Sequence, residues 1–482
     1  MIPGQSDVQN EPWSSADDHA VRLIRGLALD AVEAAGNGHP GTAVSLAPAA
    51  YLLFRDFVRH DPADPEWRGR DRFVLSAGHA SLTLYSQLLL SGIELELSDF
   101  EQFRSWGSRT PGHPEYGELA GVETTTGPLG QGFATAVGMA MAQRYQRGLF
   151  DPKTPAGQSP FDYRVWVIAS DGDLQEGISA EAASLAGRQA LGTLCVLWDD
   201  NQISIEGDTN LATHDDVTAR FESSGWQVLS VPRHPSGDID LVILREALSA
   251  ATSHQDAPTF IRLQTTIAWP APTAQGTAKS HGSALGADEV AATKSLLGLD
   301  PNASFQFPDD LLQKIRNARR EKGARERARW DKSLTEWRRR ESDHAKLFDR
   351  LGSQILPPTL EEIAPPYRSG DVIATRQASG EAINALAEAL PELWGGSADL
   401  AESNNTTIKG AKSFLPEETN TSSPYGRNVH FGIREHAMGA IVNGIAVDGL
   451  TRPFGATFLT FSDYMRGAVR LAALMQVPST FI

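Results

Sequence analysis

Between Asp162 and Gly207 an apolar stretch runs into Ser170-Asp171-Gly172-Asp173, a helical pattern follows from about Glu176 to Gln189, and a second apolar stretch runs into Asp199-Asp200-Asn201. Such a strand–helix–strand unit lays the C-terminal ends of two parallel strands side by side, so Asp171 and Asn201, thirty positions apart, can converge on one point. A carboxylate and an amide oxygen, completed by phosphate oxygens, make the oxygen set that octahedral Mg²⁺ takes. Gly172 lets the backbone approach a phosphate, and the N-terminus of the helix that follows supplies amide donors and a favourable dipole. Aspartate and glycine after a strand also form an ordinary turn; the asparagine at this spacing is what favours a ligand site.

Three histidines stand in tight loops, Gly38-His39-Pro40-Gly41, Gly78-His79-Ala80 and Pro111-Gly112-His113-Pro114, and a fourth in Ser280-His281-Gly282. Glycine and proline stop helices, so these imidazoles are expected on fixed loops, where binding residues concentrate. One such histidine alone carries no duty; four favour a cluster. Thr124-Thr125-Thr126-Gly127-Pro128-Leu129-Gly130-Gln131-Gly132 precedes a small-residue helix, Phe133 to Met141, another arrangement that brings backbone groups close to a ligand. Farther on, His430-Phe431-Gly432-Ile433-Arg434-Glu435-His436-Ala437 puts a carboxylate where a strand hands over to a helix. On its own Glu435 only complements the positive end of that helix. Phe458, Phe461 and Tyr464 recur at intervals of three, a stripe that usually belongs to a core.

The elements that must position these residues alternate. Strand candidates lie at Asp71 to Ser76, Tyr163 to Ala169, Leu194 to Trp198 and Phe260 to Thr266, with helical patterns between them, which predicts an α/β fold with a mostly parallel sheet flanked by helices. Pro357-Pro358, Pro365-Pro366 and Ser369-Gly370-Asp371 interrupt the pattern and read as a linker. The second region has a helix after Ala378, strands near Glu392 to Gly395 and Val429 to Ile433, a helix from Glu435 to Val447 and a strand beginning at Val477 to Ile482. Lys314 to Arg340, with a dozen basic residues among acids, reads as a solvated helix.

With 482 residues, two or three domains are expected. A net charge of −17 argues against nonspecific binding to nucleic acid or anionic lipid. The polar, acidic start, Met1 to His19, has no leader-like apolar core, and no run of eighteen apolar residues occurs, so no membrane partner and a cytoplasmic location are expected. The single cysteine, Cys195, lies in the apolar run Leu191 to Trp198 and is expected to be structural.

Taken in order, NGHPG, SAGHAS, TPGHPE, GPLGQG, SDGDLQEG with DDNQIS, and KSHG resemble the transketolase pattern across nearly the whole first region, and REHA continues it in the second. Asp171-Gly172 through Asn201 is similar to the thiamine diphosphate motif, with Ser170 where glycine is common and Asp200 where a first asparagine often stands. The resemblance implies a thiamine diphosphate-binding fold, with that cofactor and Mg²⁺ or Ca²⁺, sugar phosphate substrates, and a homodimer with its sites at the interface. It implies a diphosphate-binding domain over 1–310, a charged helical segment and linker over 311–371, and a pyrimidine-binding domain over 372–482 that is incomplete, with a C-terminal domain absent.

By the same likeness Asp171, Asn201 and the carbonyl of Ile203 hold the metal. His79, Gly127, Pro128, Leu129, Gly172, Asn201 and His281 contact the cofactor, and Phe458, Phe461 and Tyr464 receive its pyrimidine ring, Phe461 by stacking. His39, His113 and His281 bind ketose hydroxyls and can exchange protons near working pH. Arg376, Ser403 and Asp399 face the sugar phosphate, where a guanidinium fork suits phosphate oxygens. Glu435 matches the glutamate that hydrogen-bonds the aminopyrimidine ring and promotes deprotonation of thiazolium C2, and Glu176 matches its neighbour across the dimer. Two alternatives stay open: a related enzyme such as dihydroxyacetone or deoxyxylulose phosphate synthase, the latter disfavoured by the paired GHP loops and KSHG, and a catalytically incomplete cofactor-binding fragment.

Overall fold

The computed structural model describes residues 12–358, 360–363 and 365–482. The first eleven residues of the acidic start and two linker positions, Thr359 and Ala364, lie outside the described residues. The chain forms two compact units. One comprises the described residues through Gly132 with Arg164–Glu176 and Gly192–Trp330; the other comprises Phe133–Tyr163, Gly177–Leu191 and Asp331–Ile482. Compactness therefore cuts the chain differently from the contiguous division at 310 and 372, because 133–163 and 177–191 pack with the later sequence.

The first unit is built on five parallel strands, β1 (Arg72–Leu75), β2 (Val165–Ser170), β3 (Leu194–Asp200), β4 (Gln227–Val231) and β5 (Thr259–Gln264), in the order β1-β2-β3-β5-β4. β2 and β3 are buried at every position, as expected for central strands covered on both faces. Val165 pairs with Leu194 and Ser170 with Asp199, so the two strand ends that carry Asp171 and Asn201 finish level. Cys195 is buried in β3. β4, which the sequence reading lacks, is an edge strand paired only with β5, and four of its five residues keep some exposure, so its apolar signal is weak.

The loops of His39 and His79 lead into buried helices. Helix Pro40–Leu52 begins directly after His39 with proline at its first position and is buried along its whole length. His79 sits in a single 3₁₀ turn, Gly78–Ala80, that leads into the equally buried helix Ser81–Ser91. The helix expected from about Glu176 to Gln189 forms as Gly177–Arg188, and a short helix, Asp171–Gln175, precedes it, set off by the extended backbone of Glu176 (ψ 133°). The charged helix, Asp309–Arg340, departs from the solvated reading at Arg316 and Arg319, which are buried. Arg316 donates to the carbonyls of Leu89 and Leu95 and to Glu96, and Arg319 to the carbonyl and side chain of Gln87, so these guanidinium groups satisfy backbone acceptors under the helix.

The second unit holds six parallel strands, β6 (Leu393–Ser397), β7 (Ser413–Phe414), β8 (Ser422–Ser423), β9 (Asn428–His430), β10 (Arg452–Ala456) and β11 (Thr480–Phe481), ordered β11-β10-β6-β9-β7-β8. β9 stops at His430, short of the expected Ile433, because Gly432 turns into the left-handed region (φ 68°). Helix Glu435–Asp448 packs against the part of helix Gln131–Phe150 that lies in this unit through two glycines. A Cβ on Gly138 would lie 2.1 Å from the carbonyl oxygen of Ile441, and one on Gly444 would lie 1.9 Å from that of Thr135. Fully buried Glu392 accepts both ends of the Arg350 guanidinium at 2.9 and 2.8 Å. Among the described residues no helix is long and apolar enough to cross a membrane.

Candidate active site

In the first unit, Asp171 opens helix Asp171–Gln175 behind Ser170, whose side chain caps it. The Asp171 carboxylate accepts from Trp198 Nε1 at 3.0 Å and from the backbone N–H of Gln202 at 2.9 Å. Gln202 reaches it because its backbone is left-handed (φ 58°) between Asn201 and Ile203. Asn201 accepts from the Ile203 N–H at 2.9 Å through Oδ1 and donates from Nδ2 to Asp199 at 2.7 Å, and Asp199 also accepts from Thr265 Oγ1 at 2.5 Å. The strand ends thus bring Asp171, Asn201 and Ile203 together.

Burial, with Asp199 and Asp200 nearby, pushes the Asp171 carboxyl up to about 8. Burial likewise raises Asp199 to about 7, while Asp200 is paired with Arg262 at 2.5 Å. A divalent cation would relieve the crowded negative charge, and the donors on offer, carboxylate, amide and carbonyl oxygens, suit a hard ion. Three or more His, Cys, Asp or Glu side chains converge nowhere among the described residues as a metal cluster, so any such site here must use these mixed oxygens.

The four histidines do form one cluster. His39 lies 5.2 Å from His79, 6.3 Å from His113 and 5.5 Å from His281, ring centre to ring centre, and His79 lies 4.9 Å from His281. Burial is the main cause that lowers all four imidazoles, and their neighbours, with Arg104 beside His39 and His113, add to it for three. His39 falls to about 4. These rings are neutral near pH 7, able to donate from one nitrogen and accept at the other. His39 Nδ1, His79 Nε2, His281 Nδ1 and Thr126 Oγ1 are buried with no hydrogen-bond partner. Since buried polar atoms are rarely left unpaired, these orphaned atoms fit a polar ligand.

Against this cluster lies the glycine loop. A Cβ on Gly127 (φ 126°) would lie 3.1 Å from the His113 ring, and one on Gly78 would lie 2.6 Å from the Gly127 nitrogen, so only hydrogen fits where the two loops meet. Leu129 covers Gly172, where a Cβ would lie 2.8 Å from Leu129 Cδ1, which links the loop to the Asp171 turn. Pro128 is exposed at the loop tip. Glu176 is exposed at the break between its two helices.

In the second unit Glu435 is the first residue of its helix, buried, and accepts from Thr457 Oγ1 at 3.2 Å. Thr457 follows β10 and precedes Phe458. Phe458, Phe461 and Tyr464 line up along the 3₁₀ segment Leu459–Met465, with ring centres 5.9 and 6.0 Å apart. They are not core: Phe458 is 41% and Tyr464 67% exposed. Arg376 donates to the carbonyl of Ser403 at 3.4 Å, and Asp399, exposed and left-handed (φ 60°), follows β6.

The sequence reading passed over the residues that brace the site. Asp173 is fully buried and ties β1, the glycine loop and the Ser170 turn together. Its signal was present, since Ser170 and Asp173 make a capping box, Ser-x-x-Asp, at the helix start. Trp198, Arg262 and Thr265 had none; they meet Asp171, Asp200 and Asp199 only because neighbouring strands pair in register.

The family described as transketolase, thiamine diphosphate binding domain, matches residues 16–357, and that described as transketolase, pyrimidine binding domain, matches 371–482. The transketolase of Mycobacterium bovis is 55% identical over 478 residues, covering 98% of this chain and 67% of the relative, and that of Geobacillus stearothermophilus is 46% identical over 97% of this chain and 68% of its own length. Among solved structures, Pichia stipitis transketolase in complex with sedoheptulose-7-phosphate superposes with a TM-score of 0.91 at 40% identity over 97% of this chain and 68% of that one. Transketolase from Leishmania mexicana gives 0.90 at 38% identity over 96% and 68%. The chain thus spans about two thirds of these relatives. Parallel sheets, a histidine cluster against a glycine loop, and matches to both family models over residues 16–357 and 371–482 lead to one conclusion: this chain belongs to the transketolase family of thiamine diphosphate-dependent transferases.

Proposed function

We propose that the chain reversibly transfers a two-carbon ketol unit from a ketose phosphate, xylulose 5-phosphate or sedoheptulose 7-phosphate, to an aldose phosphate, ribose 5-phosphate or glyceraldehyde 3-phosphate. It does so as a cytoplasmic homodimer in pentose phosphate interconversion, with Mg²⁺ or Ca²⁺ as the metal. The observation that carries this reading is the cluster of four neutral imidazoles, His79 buried and the others half-buried, three of them with an unpartnered ring nitrogen, packed on the Gly127 loop. Residues 1–310 serve as the diphosphate-binding domain and 372–482 as the pyrimidine-binding one.

When bound, thiamine diphosphate supplies an electron sink for breaking the bond next to the ketose carbonyl. Asp171, Asn201 and the Ile203 carbonyl hold the cation; His79, the Gly127 to Leu129 backbone, Gly172 and His281 hold the diphosphate end; Phe458, Phe461 and Tyr464 flank the pyrimidine. His39, His113 and His281 orient the sugar hydroxyls, and because they stay neutral they can take a hydroxyl proton and return it. Arg376, Ser403 and Asp399 orient the sugar phosphate. Glu435 moves a proton at the pyrimidine end, a task for which its buried position excludes competing water, and Glu176 supports it from the partner subunit.

The test is a coupled assay of ketol transfer from xylulose 5-phosphate to ribose 5-phosphate, with thiamine diphosphate and Mg²⁺, on wild type and Glu435→Ala. The substitution should lower turnover by roughly 10²–10⁴-fold, the range for a positioned proton donor. Turnover in the variant within a few-fold of wild type would remove Glu435 from the mechanism. A wild-type chain that binds the cofactor and never turns over would overturn the transfer reading.

A further inference from the structure

Asp173 is completely buried, two residues beyond the Asp171 carboxylate, and no step above uses it. Its Oδ2 accepts from the backbone N–H of Ser170 at 2.9 Å and from Ser170 Oγ at 3.1 Å, which is all that capping the helix needs. Its Oδ1 is engaged elsewhere. It accepts from Ser76 Oγ at 2.7 Å and from the backbone N–H of Gly130 at 2.7 Å, donors 97 and 43 positions away. One carboxylate therefore clamps three segments: the end of β1, two residues before Gly78-His79; the glycine loop, one residue after Leu129; and the turn that presents Asp171 and Gly172.

Each clamped segment carries residues assigned above to the diphosphate end of the cofactor. The fit between them is tight, because Gly78 abuts Gly127 and Leu129 abuts Gly172 with no room for a Cβ. We infer that Asp173 is a positioning residue for cofactor binding: it fixes the glycine loop against the Asp171 turn, so that loop backbone and metal ligands face the diphosphate in one geometry. An isosteric amide could not do this. Each carboxylate oxygen accepts from a backbone N–H, that of Ser170 or of Gly130, which can only donate, so the amide nitrogen of Asp173→Asn would face one of them and open that clamp.

This role rests on the reading that the Gly127 to Leu129 loop meets the diphosphate, and the experiment separates the two. Thiamine diphosphate is titrated into cofactor-free protein at fixed excess Mg²⁺, followed by quenching of intrinsic fluorescence, for wild type, Asp173→Asn and Asp448→Asn. Thermal midpoints of the cofactor-free proteins are measured alongside. Asp448 is a buried carboxylate of the other unit, bonded to Tyr163 and Gln146. Asp173→Asn should raise the Kd about tenfold or more, the scale of supporting-shell substitutions, whereas Asp448→Asn should lower the thermal midpoint and leave the Kd within twofold. Should Asp173→Asn fail to fold, Ser76→Ala removes one donor only and should still raise the Kd about threefold. A Kd within twofold of wild type in whichever variant folds would overturn the inference. Failure of the wild-type chain to bind thiamine diphosphate would overturn the loop assignment beneath it.

Discussion

The two units present their candidate residues in opposite ways. In the first, four imidazoles, a glycine loop and an aspartate turn are gathered into an interlocked, largely half-buried cluster whose polar atoms are partly orphaned. In the second, Glu435 is buried at a helix start, but the aromatic line and the Arg376–Ser403 pair stand largely open to solvent. The contrast is one of preorganisation. Groups held dry and unpaired cost stability until a ligand satisfies them, whereas exposed groups cost little and wait to be ordered.

The largest expected effect falls on the crowded carboxylates. Asp171→Asn should weaken metal-dependent cofactor binding by about a hundredfold or more and lower the thermal midpoint of the cofactor-free protein, because each carboxylate oxygen accepts from an N–H, of Trp198 or Gln202, and the amide nitrogen would face one of them. Cofactor titration and thermal melting of the apo-protein report the two halves. A variant that binds normally and melts like wild type would break the comparison.

The buried titratable groups of the first unit answer acid in opposite directions. His39 and His60 stay neutral in the folded chain down to about 4 and about 3, chiefly through burial, whereas the unfolded chain protonates them near the ordinary 6.5. Between those values the unfolded state binds more protons, so these two rings remove stability as pH drops below about 6.5, about 2 kcal/mol for His60 alone at pH 5, while Asp171 and Asp199, raised to about 8 and about 7, take up protons in the folded chain and add stability over the same range. The second unit's histidines, His344, His430 and His436, are half-buried or exposed. His60→Gln should therefore shift the change in unfolding free energy between pH 7.5 and pH 5, measured by denaturant titration, by about 2 kcal/mol toward stability; a pH dependence left unchanged by the substitution would contradict the contrast.

The smallest effect belongs to the open aromatic line. Tyr464→Ala should change the unfolding free energy by less than about 1 kcal/mol, since the ring is mostly exposed and makes one ring contact at 6.0 Å. Denaturant titration measures it. A loss of several kcal/mol would place this residue with the packed cluster instead.

Much of this arrangement was legible beforehand. β2 and β3 are continuous apolar runs, so their strand character, their parallel pairing and the convergence of Asp171 with Asn201 followed from pattern alone. The histidine loops were readable because glycine and proline punctuate them. β4 was not, since an edge strand with partial exposure has no strong period, and the short helix Asp171–Gln175 was not, since five residues show no helical period. Nor was the burial of Arg316 and Arg319, whose charge masks the acceptors they satisfy.

Residue types and their local spacing determined which groups could do chemistry and on which strand ends or loops they would stand, because turns, caps and strand runs are short-range consequences of backbone sterics and burial. Which of those groups are neutral, which polar atoms go unpaired and which carboxylate clamps three segments were decided only by the tertiary structure. Those properties depend on desolvation and on neighbours tens of positions away, and no local pattern encodes either.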